Sequence, residues 1–189
     1  MGADEVDDAG VHASVHLHGL VVRVIPPEPG DIVFARSNGL MGRAIRFGEW
    51  LRFRRGSKYN HVCFVDRVED GVPIVIQAEP RGVTDDKPLS SVGAYLLLKP
   101  PPGVDPAKVL AFARNQIGDA YGWLMILALA VDIITPAWFP TLHFAGKRSN
   151  TWICSALSAE ALRFGGWYHP WPSIYMVTPS QVYAALLPE

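Results

Sequence analysis

Covalent acyl transfer needs a nucleophile, a base and a group to orient the base, and this chain has only two cysteines and six histidines to fill the first two roles. Cys154 stands at the start of a helical pattern, Ile153-Cys154-Ser155-Ala156-Leu157. There, unpaired backbone N–H groups and the helix dipole favour an anion, and the thiolate is the reactive form of cysteine. A free cysteine elsewhere is a small buried hydrophobe, and Cys63, inside His61-Val62-Cys63-Phe64-Val65, is read that way. His61 opens that strand directly after a basic loop, held by a rigid element yet open to a groove. A hairpin turning at Asp70-Gly71 pairs residues whose numbers sum to about 141, which sets Glu79 opposite His61 at the open end. Glu79 would accept from one imidazole nitrogen and leave the other for the thiol. His16 and His18 would share one strand face, but no third ligand of matching spacing accompanies them, so neither metal nor cofactor is expected. His12 belongs to the same leading segment, and His143 and His169 fall in loops rich in Pro and aromatics.

The elements that must position these groups read as an α+β domain. Val15 to Ile25 is β-rich, and Pro26 to Gly30 turns the chain into the strand Ile32 to Ala35. Ser37 or Asn38 caps a helix through Leu40, Met41, Ala44 and Ile45 to about Leu51. The strands His61 to Val68 and Val72 to Glu79 form the hairpin, and Ala94 to Lys99 is a further strand. Asp105 caps a helix with Pro106 at its first position and Gly118 past its end. Thr151 is the expected cap of the Cys154 helix, whose Leu157, Ala161 and Phe164 share a face, and Thr178-Pro179-Ser180-Gln181 is a capping box opening a last helix. No repeat or linker divides the chain, so residues 1–11 are expected to be a flexible acidic tail and 12–189 a single domain.

Composition narrows the partners. With 49% hydrophobic residues and 17 Lys+Arg against 18 Asp+Glu, the chain of 189 residues is neither a disordered nor a low-complexity protein, and two cysteines cannot frame a disulfide scaffold. A net charge of −1 gives no global reason to expect nucleic acid. The acidic start Met1-Gly2-Ala3-Asp4-Glu5-Val6 does not read as a secretory signal, and Val6 stands where myristoylation wants Ser or Thr. The expected place is the cytoplasm, or outside it by a route without a visible signal peptide. The longest apolar run, Trp123 to Val131, is broken by Asp132 and falls short of the roughly 20 residues that cross a bilayer. It reads as a buried helix extending to Ile134, with peripheral lipid contact as the other reading. Six of the 17 basic residues fall between Arg43 and Lys58, a solvated face or a docking site for an anionic substrate or surface.

Several short motifs resemble, in order, the circularly permuted branch of the NlpC-type papain-like cysteine amidases and peptidases (YiiX-like). They are Pro29-Gly30-Asp31-Ile32-Val33, Tyr59-Asn60-His61-Val62, Gln77-Ala78-Glu79 with Gly82-Val83, Gly118-Asp119-Ala120-Tyr121-Gly122-Trp123, Ile153-Cys154-Ser155 and Val177-Thr178-Pro179-Ser180. In that branch the histidine strand precedes the cysteine helix, as here. The resemblance spans about Pro29 to Leu187 and implies a small antiparallel sheet or barrel packed on helices. It also implies Cys154 as nucleophile, His61 as base, Glu79 as orienting residue and Tyr121 near the thiol. Asn60 replaces a frequent serine of the family, and with Ser155 it completes the substrate-binding or oxyanion candidates. The activity implied is hydrolysis of a peptide, isopeptide or N-acyl amide bond through a thioacyl intermediate. A lecithin:retinol-type acyltransferase or lipid-directed thioesterase is the second reading, although Ile153-Cys154-Ser155-Ala156 stands where that group has Asn-Cys-Glu-His. A catalytically idle binding module on the same fold is the third.

Overall fold

The computed structural model describes residues 14–17, 20–23, 26–36, 42–43, 46–47, 50, 58–126, 150–169, 171, 174 and 177–187. The acidic tail, His12, His18, His143 and the apolar run beyond residue 126 lie outside them. So does much of the expected helix from 40 to 51, of which residues 42–43, 46–47 and 50 are helical.

The β-rich leader is a pair of antiparallel strands, β1 (Ser14–Leu17) and β2 (Leu20–Arg23). The principal sheet is built from β3 (Ile32–Arg36), β4 (His61–Glu69), β5 (Val72–Glu79), β6 (Gly82–Pro88) and β7 (Ala94–Leu98). All its ladders are antiparallel, in the spatial order β6-β5-β4-β3-β7. The β4–β5 turn places both Asp70 (φ 49°) and Gly71 (φ 78°) in the left-handed region, the two-residue turn whose twist matches that of its strands. Pairs sum to 141 near the turn (Glu69↔Val72) and to 140 beyond an irregularity at Val65 to Arg67, as far as Phe64↔Ile76, where the ladder between these two strands ends.

Strand β6 was not legible in the sequence. Its residues Gly82-Val83-Thr84-Asp85-Asp86-Lys87-Pro88 are mostly polar and end in proline, a composition that suits a charged sheet edge. Gly82 makes its start possible: φ is 122°, and a Cβ there would meet the Asp119 carbonyl oxygen at 2.6 Å. Val83 N–H donates to that same carbonyl at 2.9 Å.

One sheet face, through Ile32, Phe34, Val62, Phe64 and Ile76, packs on the helices α1 (Pro106–Arg114), α2 (Cys154–Phe164) and α3 (Pro179–Leu186). Each such fully buried side chain contributes about 1.5–3 kcal/mol. The other face closes over a smaller cluster of Val33, Cys63, Val65, Val75 and Leu89, so Cys63 is packed as expected. Asp105 caps α1, accepting from Ala107 N–H at 2.9 Å, and Thr178 with Gln181 forms the capping box of α3. The cap of α2 differs from expectation. Thr151 lies in a two-residue strand, β9 (Thr151–Trp152), that pairs in parallel with β8 (Ala120–Tyr121), and Ile153 takes the cap position without a side-chain bond. Because α2 sits between the sheet and α1, Leu157 and Ala161 are buried, whereas Phe164 at its end is exposed. Among the described residues no helix is long and apolar enough to cross a membrane.

Candidate active site

Cys154 is the first residue of α2, so its sulfur meets the helix end where backbone N–H groups are unpaired. The preceding strand β9 aligns Tyr121 with Trp152, which brings the tyrosine to the nucleophile's side of the sheet. His61 enters from the first position of β4, and Gln77 and Glu79 from the end of β5. Cys154, His61, Gln77, Tyr121, Glu79 and Lys87 contribute to the walls of one cleft of about 240 Å³.

The imidazole of His61 is held by Gln77: its Nε2–H donates to Gln77 Oε1 at 2.7 Å. This fixes the tautomer and leaves Nδ1 for the thiol. Burial opposes charge on His61, but the sulfur beside it, through charge and hydrogen bonding, holds the imidazole well above its ordinary range. Burial likewise pushes the Cys154 thiol up; His61 and the backbone N–H groups of Val62 and Ser155 outweigh it and hold the thiol below its ordinary value. The pair therefore favours thiolate and imidazolium. Tyr121, beside that sulfur, is pushed up by burial and by the thiolate's charge, so its phenol stays protonated and able to donate.

Two of the expected site residues have other side-chain partners in the structure. Glu79 is bonded to other groups than His61. It shares the open end of the hairpin, but one carboxylate oxygen accepts from Arg81 and the other from Lys87. Lys87 comes from β6, so the competitor for Glu79 was hidden together with that strand. Burial would raise the Glu79 carboxyl, yet these two cations hold it below its ordinary value. Ser155 is also not a cleft group: its hydroxyl donates to the Val177 carbonyl at 2.6 Å and ties the start of α2 to the segment leading into α3. Asn60 is buried at the cleft wall, with its backbone N–H donating to Ala35 O at 3.1 Å.

Gln77 is the residue that sequence reasoning missed, although a signal was present. It lies two residues before Glu79, hence on the same face of β5, and diagonal neighbours across a ladder are within reach of a long side chain. A neutral amide also suits the site, because the thiolate is already the counter-ion of the imidazolium.

Among the described residues no group of three or more His, Cys, Asp and Glu could hold a metal ion, so His61, Cys63 and Cys154 do not form one. The molecule is α+β, an antiparallel sheet packed against helices with a thiol and an imidazole facing each other at one end. No family model, curated protein or solved structure matches the chain.

Proposed function

We propose that the protein is a cysteine-dependent hydrolase of amide bonds, built on a permuted papain-like fold. The observation that carries this reading is the Cys154–His61–Gln77 arrangement in a cleft, with the thiol at a helix N-terminus and its titration drawn down by the imidazolium.

The thiolate of Cys154 attacks the carbonyl carbon, and the charge developing on oxygen is met by the backbone N–H of Cys154, with the Tyr121 phenol as a second donor. His61 gives its proton to the departing nitrogen as the C–N bond breaks, leaving a thioester on Cys154. Water then attacks the thioester, His61 takes its proton, and the carboxylic acid leaves as the thiolate is restored. Gln77 holds the ring through both halves and carries no charge of its own.

An electrophilic amide or ester probe, followed by mapping of the modified residue, tests the reading. Labelling of Cys154 and not Cys63, lost together with hydrolysis in Cys154→Ala, is expected. Hydrolysis that survives Cys154→Ala refutes it; a Cys154 thiol with ordinary pKa and no selective labelling refutes it and favours the idle module.

A further inference from the structure

One wall of the Cys154 cleft holds an ion cluster that the hydrolytic steps leave unused. Glu79, at the end of β5, receives Arg81 on one carboxylate oxygen and Lys87 on the other. Arg81 is engaged a second time by Asp86, whose two oxygens accept from it at 2.7 and 2.9 Å. Of these two cations Lys87 lines the cleft, whereas Arg81 and Asp86 are exposed outside it. An ammonium has three donors, and among the described residues Glu79 is the one acceptor that Lys87 meets. The hydrogen-bonding capacity left over at this wall is therefore a donor's: each Glu79 oxygen is taken by a cation, while Lys87 keeps N–H groups to give.

Its place relative to the thiol is set by β5. Glu79 follows Gln77 by one step on the same face, about 7 Å along the strand, and Gln77 holds the imidazole. The Lys87 ammonium thus lies on the order of 7 Å from the base, a span covered by a carboxylate one or two residues from the scissile bond. At about 240 Å³ the cleft is smaller than the roughly 300–1,000 Å³ of sites for drug-sized ligands, which suits an occupant of amino-acid size. A cationic ligand would have to displace two cations from Glu79, and a neutral one would leave the ammonium's charge unmet.

We propose that Lys87 is the anion-recognising residue of the Cys154 cleft, so that the amide hydrolysed there carries a carboxylate one or two residues from the scissile bond. The second clause rests on the hydrolase reading; the anion subsite does not.

The full chain carrying Cys154→Ala, titrated with N-acetyl-alanine or its neutral counterpart N-acetyl-alaninamide and followed by NMR, reads the subsite without turnover. The carboxylate ligand is expected to bind about threefold to tenfold more tightly, with the difference shrinking in salt of about 0.5 M. Adding Lys87→Met should erase the preference. Arg81→Met, which takes the same charge from Glu79 outside the cleft, should change it by less than about twofold. Glu79→Gln removes the carboxylate that competes for the ammonium and is expected to tighten N-acetyl-alanine by about threefold, a gain that misfolding cannot produce. Circular dichroism of each variant confirms that the fold is kept. No binding of N-acetyl-alanine, equal binding of the two ligands, a preference that survives Lys87→Met, or an equal loss in Arg81→Met overturns the proposal. Because the reacting thiol is absent, failure here leaves the hydrolase reading standing, and a failed labelling of Cys154 leaves the anion subsite standing.

Discussion

Replacing Gln77 with alanine removes the amide oxygen that accepts from His61 Nε2–H, a bond of 2.7 Å at a residue that is 4% exposed. A buried donor left without a partner costs about 1–3 kcal/mol, more than the net worth of an average hydrogen bond, because it has lost water as well. The ring also becomes free to turn Nδ1 away from Cys154. If that whole cost is felt in the transition state, kcat/KM falls about 5- to 150-fold, at 1.4 kcal/mol per decade. The comparison that gives the experiment its force is Glu79→Gln, which keeps shape and removes charge. Glu79 is engaged by Lys87 and Arg81 and not by the imidazole, so this variant is expected to lose distinctly less. A third variant, Gln77→Glu, sets an anion against Nε2–H; it favours imidazolium and moves the alkaline limb of the rate profile to higher pH. The assay is the pH dependence of Cys154 alkylation beside hydrolysis of an amide substrate, since a merely structural role for Gln77 would leave the thiol's titration unchanged. A loss in Glu79→Gln equal to or above that in Gln77→Ala would refute the reasoning and restore the carboxylate as orienting group.

Further outcomes follow from the same coordinates. With Cys154 below and His61 above their ordinary values of about 8.5 and 6.5, the ion pair persists between the lowered thiol pKa and the raised imidazole pKa. Alkylation of Cys154 should stay fast as pH falls below the ordinary thiol value, while His61→Ala, which leaves burial unopposed by the imidazolium, should shift that titration upward. Gly82→Ala, forced to a φ of 122° with its Cβ against the Asp119 carbonyl, should lower stability by about 2 kcal/mol or more in urea unfolding. Thr178→Ala removes the α3 capping box and should cost about 1 kcal/mol by the same measurement. Asp66→Ala deletes a buried carboxylate that accepts from Arg114 at 2.7 Å and from Arg67 at 2.7 Å. Both arginines can return to water, so the expected loss is about 1–2 kcal/mol, read as a lower thermal midpoint.

Where local chemistry dictates structure, the sequence was readable. The Asp70-Gly71 turn set a register that holds within one residue as far as Phe64↔Ile76, the Asp105-Pro106 start fixed α1, and the helix pattern after Ile153 put Cys154 at an N-terminus. What escaped is what depends on tertiary partners. Strand β6 has no apolar alternation, because it is an edge that earns its place through ladder bonds to β5 and the Gly82–Asp119 approach. Without β6 there was no Lys87 to claim Glu79, and so the carboxylate was favoured over the amide two residues earlier. Thr151 likewise resembled a cap because its parallel partner, Ala120, is far away in sequence.

That parallel pairing constrains how the chain can vary. Ala120 N–H donates to Asn150 O at 3.0 Å and Gly122 N–H to Trp152 O at 2.9 Å, so the segment between β8 and β9 departs from and returns to neighbouring points beside the thiol. A change of length beyond the buried Met125 would leave the paired ends, and so Tyr121 and Cys154, in register, making the pairing a joint at which what surrounds the nucleophile could change while the nucleophile itself is kept.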